Sequence, residues 1–265
     1  MTALLVDIGN TRIKWARFDG RRLGAQEAAA HSGWKHEDFA RRTIGSVRGL
    51  TRILVASVAG DAVNSSLLAA ARIAGAPVPE LLETTRRAGG ITVGYLEPWR
   101  LGVDRFVAAI AAHNLFPGKP VCVIAVGTAM TIDLVSAAGR HLGGAIIPAP
   151  GLMVATLLKN TQGIRRRASG GSLGAPRGLF GRSTRAGIVQ GSRYAAAATI
   201  ERALEEARKR VRQPPLAVLT GGGAPEVRPL VRGPSKLVAD LVLRGLAVIA
   251  SEVPIAATDP LTDLQ

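Results

Sequence analysis

Cysteine is almost absent from the sequence, and this scarcity bears on the compartment. The 265 residues include one cysteine, Cys122, so no disulfide can form within the chain. Disulfides are typical of oxidising compartments, and a chain without one fits a reducing compartment. We therefore expect a cytoplasmic protein. Because Val121 and Val123 flank Cys122, we interpret its thiol as part of a buried strand.

Long hydrophobic runs and aromatic residues are also scarce. No apolar run approaches the roughly 18 residues that a membrane-spanning helix needs. Asp7 interrupts the short apolar run near the N-terminus, which argues against a secretory signal. Aromatic residues make up 4% of the chain, so few side chains could stack on single-stranded bases. Zinc-finger and basic-zipper patterns are absent as well. We expect neither a membrane partner nor nucleic-acid binding as the main function.

Acidic residues are outnumbered, which indicates anionic partners. The chain has 34 Lys and Arg residues against 19 Asp and Glu residues, a formal net charge of +15. Such a balance favours nucleic acid, or small molecules that carry phosphate or carboxylate groups. The basic residues are scattered, and their densest cluster is Arg165–Arg167 in a segment rich in glycine and serine. This distribution favours an arginine-rich surface with small anionic ligands.

The sequence does contain an α/β pattern that occurs twice. Each half begins with a strand, a polar turn and a second strand, and then adds helices and further strands. A repeat at this scale predicts two similar lobes, residues 1–115 and 116–265, with a cleft between them. In the second half we expect a helix at 152–161, a loop at 163–182, a long helix at 184–210 and a closing helix from 241.

Three short loops follow apolar strands and have the composition of phosphate-binding turns. They are Asp7–Thr11, Gly127–Ala129 and Thr220–Gly223. Small residues let backbone N–H groups approach phosphate oxygens, and hydroxyl groups add donors. One such loop is weak evidence, because glycine-rich turns mostly serve chain geometry, but three at strand ends of a duplicated chain favour a phosphate site. The patterns GxxxxGK[ST] and GxGxxG are absent.

The first of these loops carries more polar groups than a hairpin needs. We expect Gly9 and Asn10 to accept positive φ in the turn. Asp7 ends an otherwise apolar strand, where burial of a carboxylate is costly unless a cation or several hydrogen bonds offset its desolvation. Two interpretations stay open: Asp7 holds magnesium through water and shares it with nucleotide phosphates, or Asp7 only accepts hydrogen bonds from its own turn.

Six motifs, in this order and spacing, resemble those of one family, the type III pantothenate kinases. The motifs are DIGNTRIK (7–14), GVDR (102–105), GTAMTID (127–133), GGAIIPAPG (143–151), STRAGI (183–188) and TGGG (220–223), and the resemblance covers nearly the whole chain. It implies two ribonuclease-H-like lobes, each a mixed sheet flanked by helices, as in actin, sugar kinases and heat-shock ATPases. It further implies ATP in the cleft, phosphorylation of pantothenate as the first step of coenzyme A synthesis, and a homodimer.

The resemblance also implies roles for particular residues. Asp104 corresponds to the catalytic base, and Asp7 lies near magnesium. A nucleotide-binding role is implied for Asp7, Ile8, Gly9, Asn10, Thr11, Arg12, Ile13, Lys14, Thr128, Gly221 and Gly222. A pantothenate-binding role is implied for Tyr95, Gly102, Val103, Asp104, Arg105 and Thr184.

The chemistry of these residue types agrees with such roles, although each has a plainer interpretation. A carboxylate such as Asp104 can accept a hydroxyl proton, worth ~10²–10⁴-fold in rate. A helix N-terminus would favour its ionised form, but Asp104 could also be only a helix cap. Arg105 has the planar fork that suits a carboxylate such as that of pantothenate, or is a surface arginine. Tyr95 could be a core aromatic residue, and Thr184 could cap the long helix that begins near Arg185.

One position departs from the family pattern. The second phosphate loop usually reads Asp-x-Gly-Thr-Ala, and this chain has Ala125 in place of the aspartate. That aspartate helps to hold the potassium or ammonium ion on which many members depend, so we expect weak or absent potassium dependence. Asp133 is the nearest acidic residue along the same hairpin. The turn between the two positions leaves open whether their side chains face each other.

A second function stays open beside the kinase. Some relatives of the family are described as accessory factors for transcription, and the basic surface would suit a regulator that binds nucleic acid. Such a protein could keep the fold with or without catalysis. The presence of Asp7, Asp104, Arg105 and Thr128 favours the kinase.

Overall fold

The computed structural model describes residues 2–46, 48–169 and 178–251, and two five-stranded sheets dominate it. The first sheet has the spatial order β3-β2-β1-β4-β5, with β1 (Ala3–Ile8), β2 (Arg12–Phe18), β3 (Glu27–Ala30), β4 (Arg52–Ser57) and β5 (Glu80–Leu81). A small ribbon follows, with β6 (Arg87–Ala88) and β7 (Ile91–Thr92). The second sheet has the order β10-β9-β8-β11-β12, with β8 (Val121–Val126), β9 (Ala129–Val135), β10 (His141–Pro148), β11 (Leu216–Thr220) and β12 (Ser235–Leu237).

Eight α-helices connect and cover these strands within the described residues. They are α1 (His36–Arg42), α2 (Asp61–Ile73), α3 (Val103–Leu115), α4 (Pro150–Asn160), α5 (Gln162–Ala168), α6 (Thr184–Arg210), α7 (Ala224–Val227) and α8 (Leu241–Ser251). Single 3₁₀ turns lie at 44–46, 98–100 and 228–230. No helix in this part of the chain is both long and apolar enough to cross a membrane.

The two sheets repeat the same mixed topology. Strand β1 pairs with β2 in antiparallel and with β4 in parallel orientation, and β8 pairs with β9 and β11 in the same two ways. The predicted class, a duplicated mixed sheet flanked by helices, is therefore confirmed. Central strands of this kind bury both faces, which explains their continuous apolar runs. All six residues of β1 are buried.

Helices α3 and α8 lie between the sheets and join the two halves of the chain. Val107 of α3 packs with Leu5 of β1, whereas Phe106 of α3 packs with Val123 of β8. Each sheet takes its strands from one side of residue 116. Because α3 and α8 belong to both cores, the boundary between 1–115 and 116–265 stays a prediction.

Cys122 and the segment after α4 bear on two local expectations. The Cys122 thiol is buried in β8 as predicted, and desolvation raises its pKa to about 12. The loop expected at 163–182 is wrong at its start, because α5 continues the helical path immediately after α4. Arginine and alanine are good helix formers, and Ala168 gives α5 a buried contact. Positions 170–177 of that segment lie outside the described residues.

Candidate active site

The first loop closes the β1–β2 hairpin with four residues between the pair Ile8 and Ile13. Gly9 donates its backbone N–H to the Arg12 carbonyl at 3.0 Å. The expected positive φ is wrong, because neither Gly9 nor Asn10 has one. Loops of four residues are commonly built on type I turns, which need no positive φ. The loop is held from below by His31, whose Nε2 donates to the Gly9 carbonyl at 2.7 Å.

The side chains of this loop divide into two groups. Asn10, Thr11 and Arg12 are exposed and can meet a ligand. Ile8 and Ile13 are fully buried. A contribution of the two isoleucines to nucleotide binding can therefore come only through their backbone or through packing.

Asp7 is buried at the end of β1 beside Lys14, its register partner on β2. Lys14 Nζ lies 3.2 Å from Asp7 Oδ2. Among the described residues the carboxylate thus accepts its hydrogen bond from Lys14 and not from its own turn. Desolvation nevertheless raises the pKa of Asp7, because burial outweighs the attraction of Lys14, and the charge of Asp104 raises it further.

The three predicted phosphate loops meet at one place. Thr11 Oγ1 of the first loop lies 3.5 Å from Thr128 Oγ1 of the second. In the third loop, Gly223 donates its N–H to the Val126 carbonyl at 3.0 Å. Gly221 has a φ of +90°, and a Cβ there would lie 2.4 Å from the Val126 oxygen, so only glycine allows this approach. The loops follow the carboxyl ends of β1, β8 and β11, where open α/β sheets bind ligands.

Asp104 lies in the first turn of α3, and the preceding residue, Val103, packs in one buried cluster with Leu5 of β1. Its Oδ1 accepts the backbone N–H of Arg105 at 2.8 Å. Gly102, not Asp104, is the N-cap residue, and a Cβ on Gly102 would lie 2.7 Å from the carboxylate. The backbone hydrogen bond lowers the pKa of Asp104, as a helix N-terminus should, but burial dominates and raises that pKa overall. A raised pKa suits a general base.

Arg105 is buried and forms a two-pronged ion pair, so it is not a surface arginine. Its Nε lies 2.9 Å from Asp133 Oδ2, and its Nη2 lies 2.6 Å from Asp133 Oδ1. Its Nη1 donates to the Tyr95 hydroxyl at 3.2 Å. His141 Nε2 lies 2.9 Å from Asp133 Oδ1, and the His141 ring lies 5.6 Å from the Tyr95 ring. The half-buried Tyr95 is therefore fixed by a buried charged network.

Thr184 and Val103 complete the predicted acceptor residues. Val103 is buried at the start of α3. Thr184 is the first residue of α6, and the cap of that helix is Ser183, whose Oγ accepts the N–H of Ala186 at 3.1 Å. Among the described residues, no hydrogen bond joins Thr184 to Tyr95 or Asp104. The structure thus joins Arg105 of α3 to Tyr95 by a hydrogen bond, and the place of Thr184 in the acceptor site stays a prediction.

Asp133 does not lie where the family aspartate would, at position 125. Ala125 pairs with Thr131, whereas Asp133 pairs with Val123, two residues further from the turn. The Asp133 carboxylate is engaged by Arg105 and His141. Its oxygens are therefore already neutralised, and Asp133 does not replace the missing aspartate.

The side chains near the three loops offer few ligands for a divalent cation. Within the described residues, no group of three or more His, Cys, Asp or Glu side chains could hold a metal ion. Mg²⁺ commonly binds through one or two carboxylates, with water and substrate phosphates as the other ligands. Asp7 is one carboxylate beside the three loops, and its raised pKa indicates an under-compensated charge. These residues fit Mg²⁺ only together with nucleotide phosphates.

Sequence reasoning missed three supporting residues. The sequence marks Asp133 only as the nearest acidic residue to position 125 along the hairpin, and no signal links it to Arg105. His31 follows an alanine-rich stretch that suggested no role. Arg86 donates three hydrogen bonds to carbonyls around Tyr95, and its place in an irregular segment gave no hint of this.

The topology and the loop cluster define a class of protein before any family is considered. Two duplicated mixed sheets with phosphate-type loops at their facing ends are the architecture of actin and the sugar kinases. A ROK family glucokinase from Streptomyces griseus, in complex with glucose and AMPPNP, superposes with a TM-score of 0.51 at 12% identity, over 93% of this chain and 98% of that chain. A conserved putative Baf family transcriptional activator from Campylobacter jejuni gives 0.57 at 20% identity, over 94% and 98%.

The family is defined by sequence. The family model for type III pantothenate kinase matches residues 3–206. The type III pantothenate kinase of Herminiimonas arsenicoxydans is 38% identical over 252 residues, covering 93% of this chain and 96% of that protein. The one of Acidovorax ebreus (strain TPSY) is 34% identical over 270 residues, covering 95% and 97%. The chain belongs to the type III pantothenate kinase family, and it is therefore a kinase that uses ATP.

Proposed function

We propose that this protein transfers the γ-phosphoryl group of ATP to the hydroxyl group of pantothenate, with Asp104 as general base. One observation carries the proposal. Val103, the residue before Asp104, shares a buried cluster with Leu5 of β1 and Ala56 of β4, and this packing supports a common crevice for the candidate base and the first phosphate loop. Phosphoryl transfer needs positioning and charge neutralisation at such a place more than it needs covalent participation.

The nucleotide side of the crevice would be built from backbone and small polar groups. The N–H groups of Gly9, Asn10 and Gly222 and the hydroxyls of Thr11 and Thr128 would donate to phosphate oxygens. The ammonium group of Lys14, which pairs with Asp7, would also contact the phosphate oxygens. Asp7 would hold Mg²⁺ through water. A bound Mg²⁺ would neutralise charge on the transferring phosphates.

The transfer step balances with groups on this chain. The carboxylate of Asp104 accepts the hydroxyl proton while the hydroxyl oxygen forms a bond to the γ-phosphorus. The bond from the γ-phosphorus to the oxygen that bridges to the β-phosphate breaks, and that oxygen leaves with ADP. Asp104 then releases its proton to solvent. Burial supports this role because it raises the pKa of Asp104 above that of an exposed carboxyl group.

The acceptor side would be formed by Tyr95, Gly102, Val103 and Arg105. Arg105 already gives Nε and Nη2 to Asp133, so a two-pronged grip on the pantothenate carboxylate would require displacement of Asp133. We therefore assign Arg105 a single contact through Nη1, shared with Tyr95. Thr184, the first residue of α6, completes this group on the strength of the family resemblance.

Further properties of the family are extended to this chain as proposals. Ala125 has no side-chain oxygen to bind potassium, so we propose that catalysis does not depend on that ion.

A homodimer is supported by α4, which has no buried residue and exposes Leu152 and Leu157. Light scattering should then give twice the chain mass of 27.6 kDa. A cytoplasmic location agrees with the single buried cysteine.

A coupled assay for ADP tests the proposed function. We expect ADP formation that requires both ATP and pantothenate, with phosphopantothenate as the second product by mass spectrometry. Reactions without pantothenate control for hydrolysis of ATP. ADP formation that is independent of pantothenate, or no product of increased mass, would exclude the proposed reaction.

The regulatory alternative has less support. Family membership and the intact loop residues favour the kinase, whereas the case for nucleic acid depends on the net charge of +15. A gel shift with duplex DNA across salt concentrations would measure it. We expect no complex at physiological salt.

A further inference from the structure

Arg86 is bonded to the loop that carries Tyr95. Its Nη1 donates to the carbonyls of Val93 at 3.2 Å and Tyr95 at 2.7 Å, and its Nη2 donates to the carbonyl of Leu96 at 2.8 Å. A guanidinium presents several donors in one rigid plane, so it can fix three carbonyls at once. Arg86 also lies far from the three phosphate loops in sequence. Its contacts fix the backbone around one side chain of the proposed acceptor site.

Asp133 acts on the side-chain end of Tyr95 through Arg105. It accepts two hydrogen bonds from the guanidinium and one from His141, and Arg105 Nη1 then donates to the Tyr95 hydroxyl. The side chains of Arg105 and Asp133 are 6% and 2% exposed, so the geometry is shielded from water. Buried charged hydrogen bonds of this kind hold their partners in one orientation.

The state of the Tyr95 hydroxyl follows from this arrangement. A phenol can accept one hydrogen bond and donate another. Because Arg105 donates to the oxygen, the hydroxyl proton is directed elsewhere, and no acceptor for it is present among the described residues. A ligand in the crevice can supply that acceptor.

We propose that Arg86 and Asp133 are positioning residues that hold Tyr95 from its two ends, so that its hydroxyl donates to a carboxylate or carbonyl oxygen of the acceptor substrate. This inference rests on the proposed function for the identity of that substrate. Neither residue touches the reacting atoms. Their effect falls on capture of the acceptor, and they leave nucleotide binding and the transfer step unchanged.

Substitution of Arg86 tests the first anchor. We expect Arg86→Gln to raise the KM for pantothenate about tenfold through loss of hydrogen bonds from the charged guanidinium to three carbonyls, with kcat and the KM for ATP within about twofold of wild type. Arg87→Gln is the matched control, since Arg87 is exposed like Arg86 and has the same charge, whereas the hydrogen bonds to the three carbonyls come from Arg86. Equal pantothenate KM values for the two variants would overturn the role of Arg86, and so would an equal loss of kcat and kcat/KM.

A double-mutant cycle tests the second anchor. If Asp133 acts through the Tyr95 hydroxyl, Asp133→Asn should raise the pantothenate KM in wild type and change it little in a Tyr95→Phe background. Additive effects would overturn this role. Asp133→Asn leaves Arg105 buried without its counter-ion and can impair folding. In that event Asp133→Glu, which keeps the charge but moves the carboxylate, is measured alone and together with Tyr95→Phe, and additive effects again contradict the proposal.

Failure of the inference can be told apart from failure of the proposed function. If wild-type protein forms no phosphopantothenate, the proposed function fails, and amide hydrogen exchange still measures the Arg86 anchor. Exchange in residues 93–96 should be faster in Arg86→Gln than in Arg87→Gln. Unchanged exchange would remove the anchor itself, whatever the substrate.

Discussion

The two hairpins that begin the two halves of the chain share a backbone but not a chemistry. In the first, the pair next to the turn-closing pair is Asp7 with Lys14, and in the second the corresponding pair is Ala125 with Thr131. The first hairpin thus has an ion pair where the second has a methyl group and a hydroxyl group. The two loops still lie close together, with Thr11 Oγ1 and Thr128 Oγ1 3.5 Å apart. Of the two corresponding pairs, the one in the first hairpin is charged.

The carboxylates of the two hairpins also differ in how their charge is balanced. Asp133 is neutralised by Arg105 and His141 deep in the interior. Asp7 has one partner, at 3.2 Å, and burial raises its pKa in spite of it. A buried carboxylate with incomplete compensation reduces the stability of the fold and is typical of functional sites. The difference supports a structural role for Asp133 and the proposed role of Asp7 in holding Mg²⁺.

The largest expected effect on the difference between Asp7 and Asp133 comes from Asp7→Asn. Because burial raises the pKa of Asp7, its charge opposes folding at neutral pH, and the amide should keep or increase the melting temperature. Activity should fall by about 10²-fold or more, as when one preorganised electrostatic group is lost. The stability gain should be absent below the ordinary pKa of 3.8 and should grow as pH rises through the raised value.

Calorimetry and the ADP assay on the same samples measure both effects. Asp61→Asn, an exposed aspartate in the first turn of α2, is the control for a neutral substitution. A melting temperature well below that of the control would mean that Asp7 is a stabilising residue, and the comparison would then fail.

The pH dependence of the wild type should be the next largest effect. A general base works only when ionised, so activity should fall about tenfold per pH unit below the pKa of Asp104. Burial raises that pKa, so the midpoint of the acid limb should lie above the ordinary value of 3.8. The pH profile of kcat/KM gives the midpoint. Constant activity down to about pH 4 would argue against Asp104 as a base with a raised pKa.

The smallest expected effect concerns potassium and sharpens the comparison at position 125. Because Ala125 and Thr131 supply no carboxylate, the rate should be the same in potassium and sodium buffers of equal ionic strength. Ala125→Asp restores the acidic side chain and should create a preference for potassium. Low activity of the wild type in sodium that potassium restores would show a cation site built from other groups.

The sequence was informative where function depends on local pattern. The strand-turn-strand motif at Asp7–Lys14 and the glycines at 221–223 could be assigned because small and polar residues follow apolar strands. The pairing of Arg105 with Asp133 could not, because 28 residues separate them and strand alternation gives a face but no partner. The net pKa direction of Asp104 was also hidden, since it depends on burial between the two halves.

The most direct test of the central claim is the single-turnover rate of Asp104→Asn with ATP and pantothenate both bound. The account predicts that the rate of phosphoryl transfer falls by ~10²–10⁴-fold, while calorimetric titration gives affinities for both ligands close to those of the wild type. A transfer rate near that of the wild type, at full occupancy of both ligands, would show that Asp104 is not the base and would contradict the account.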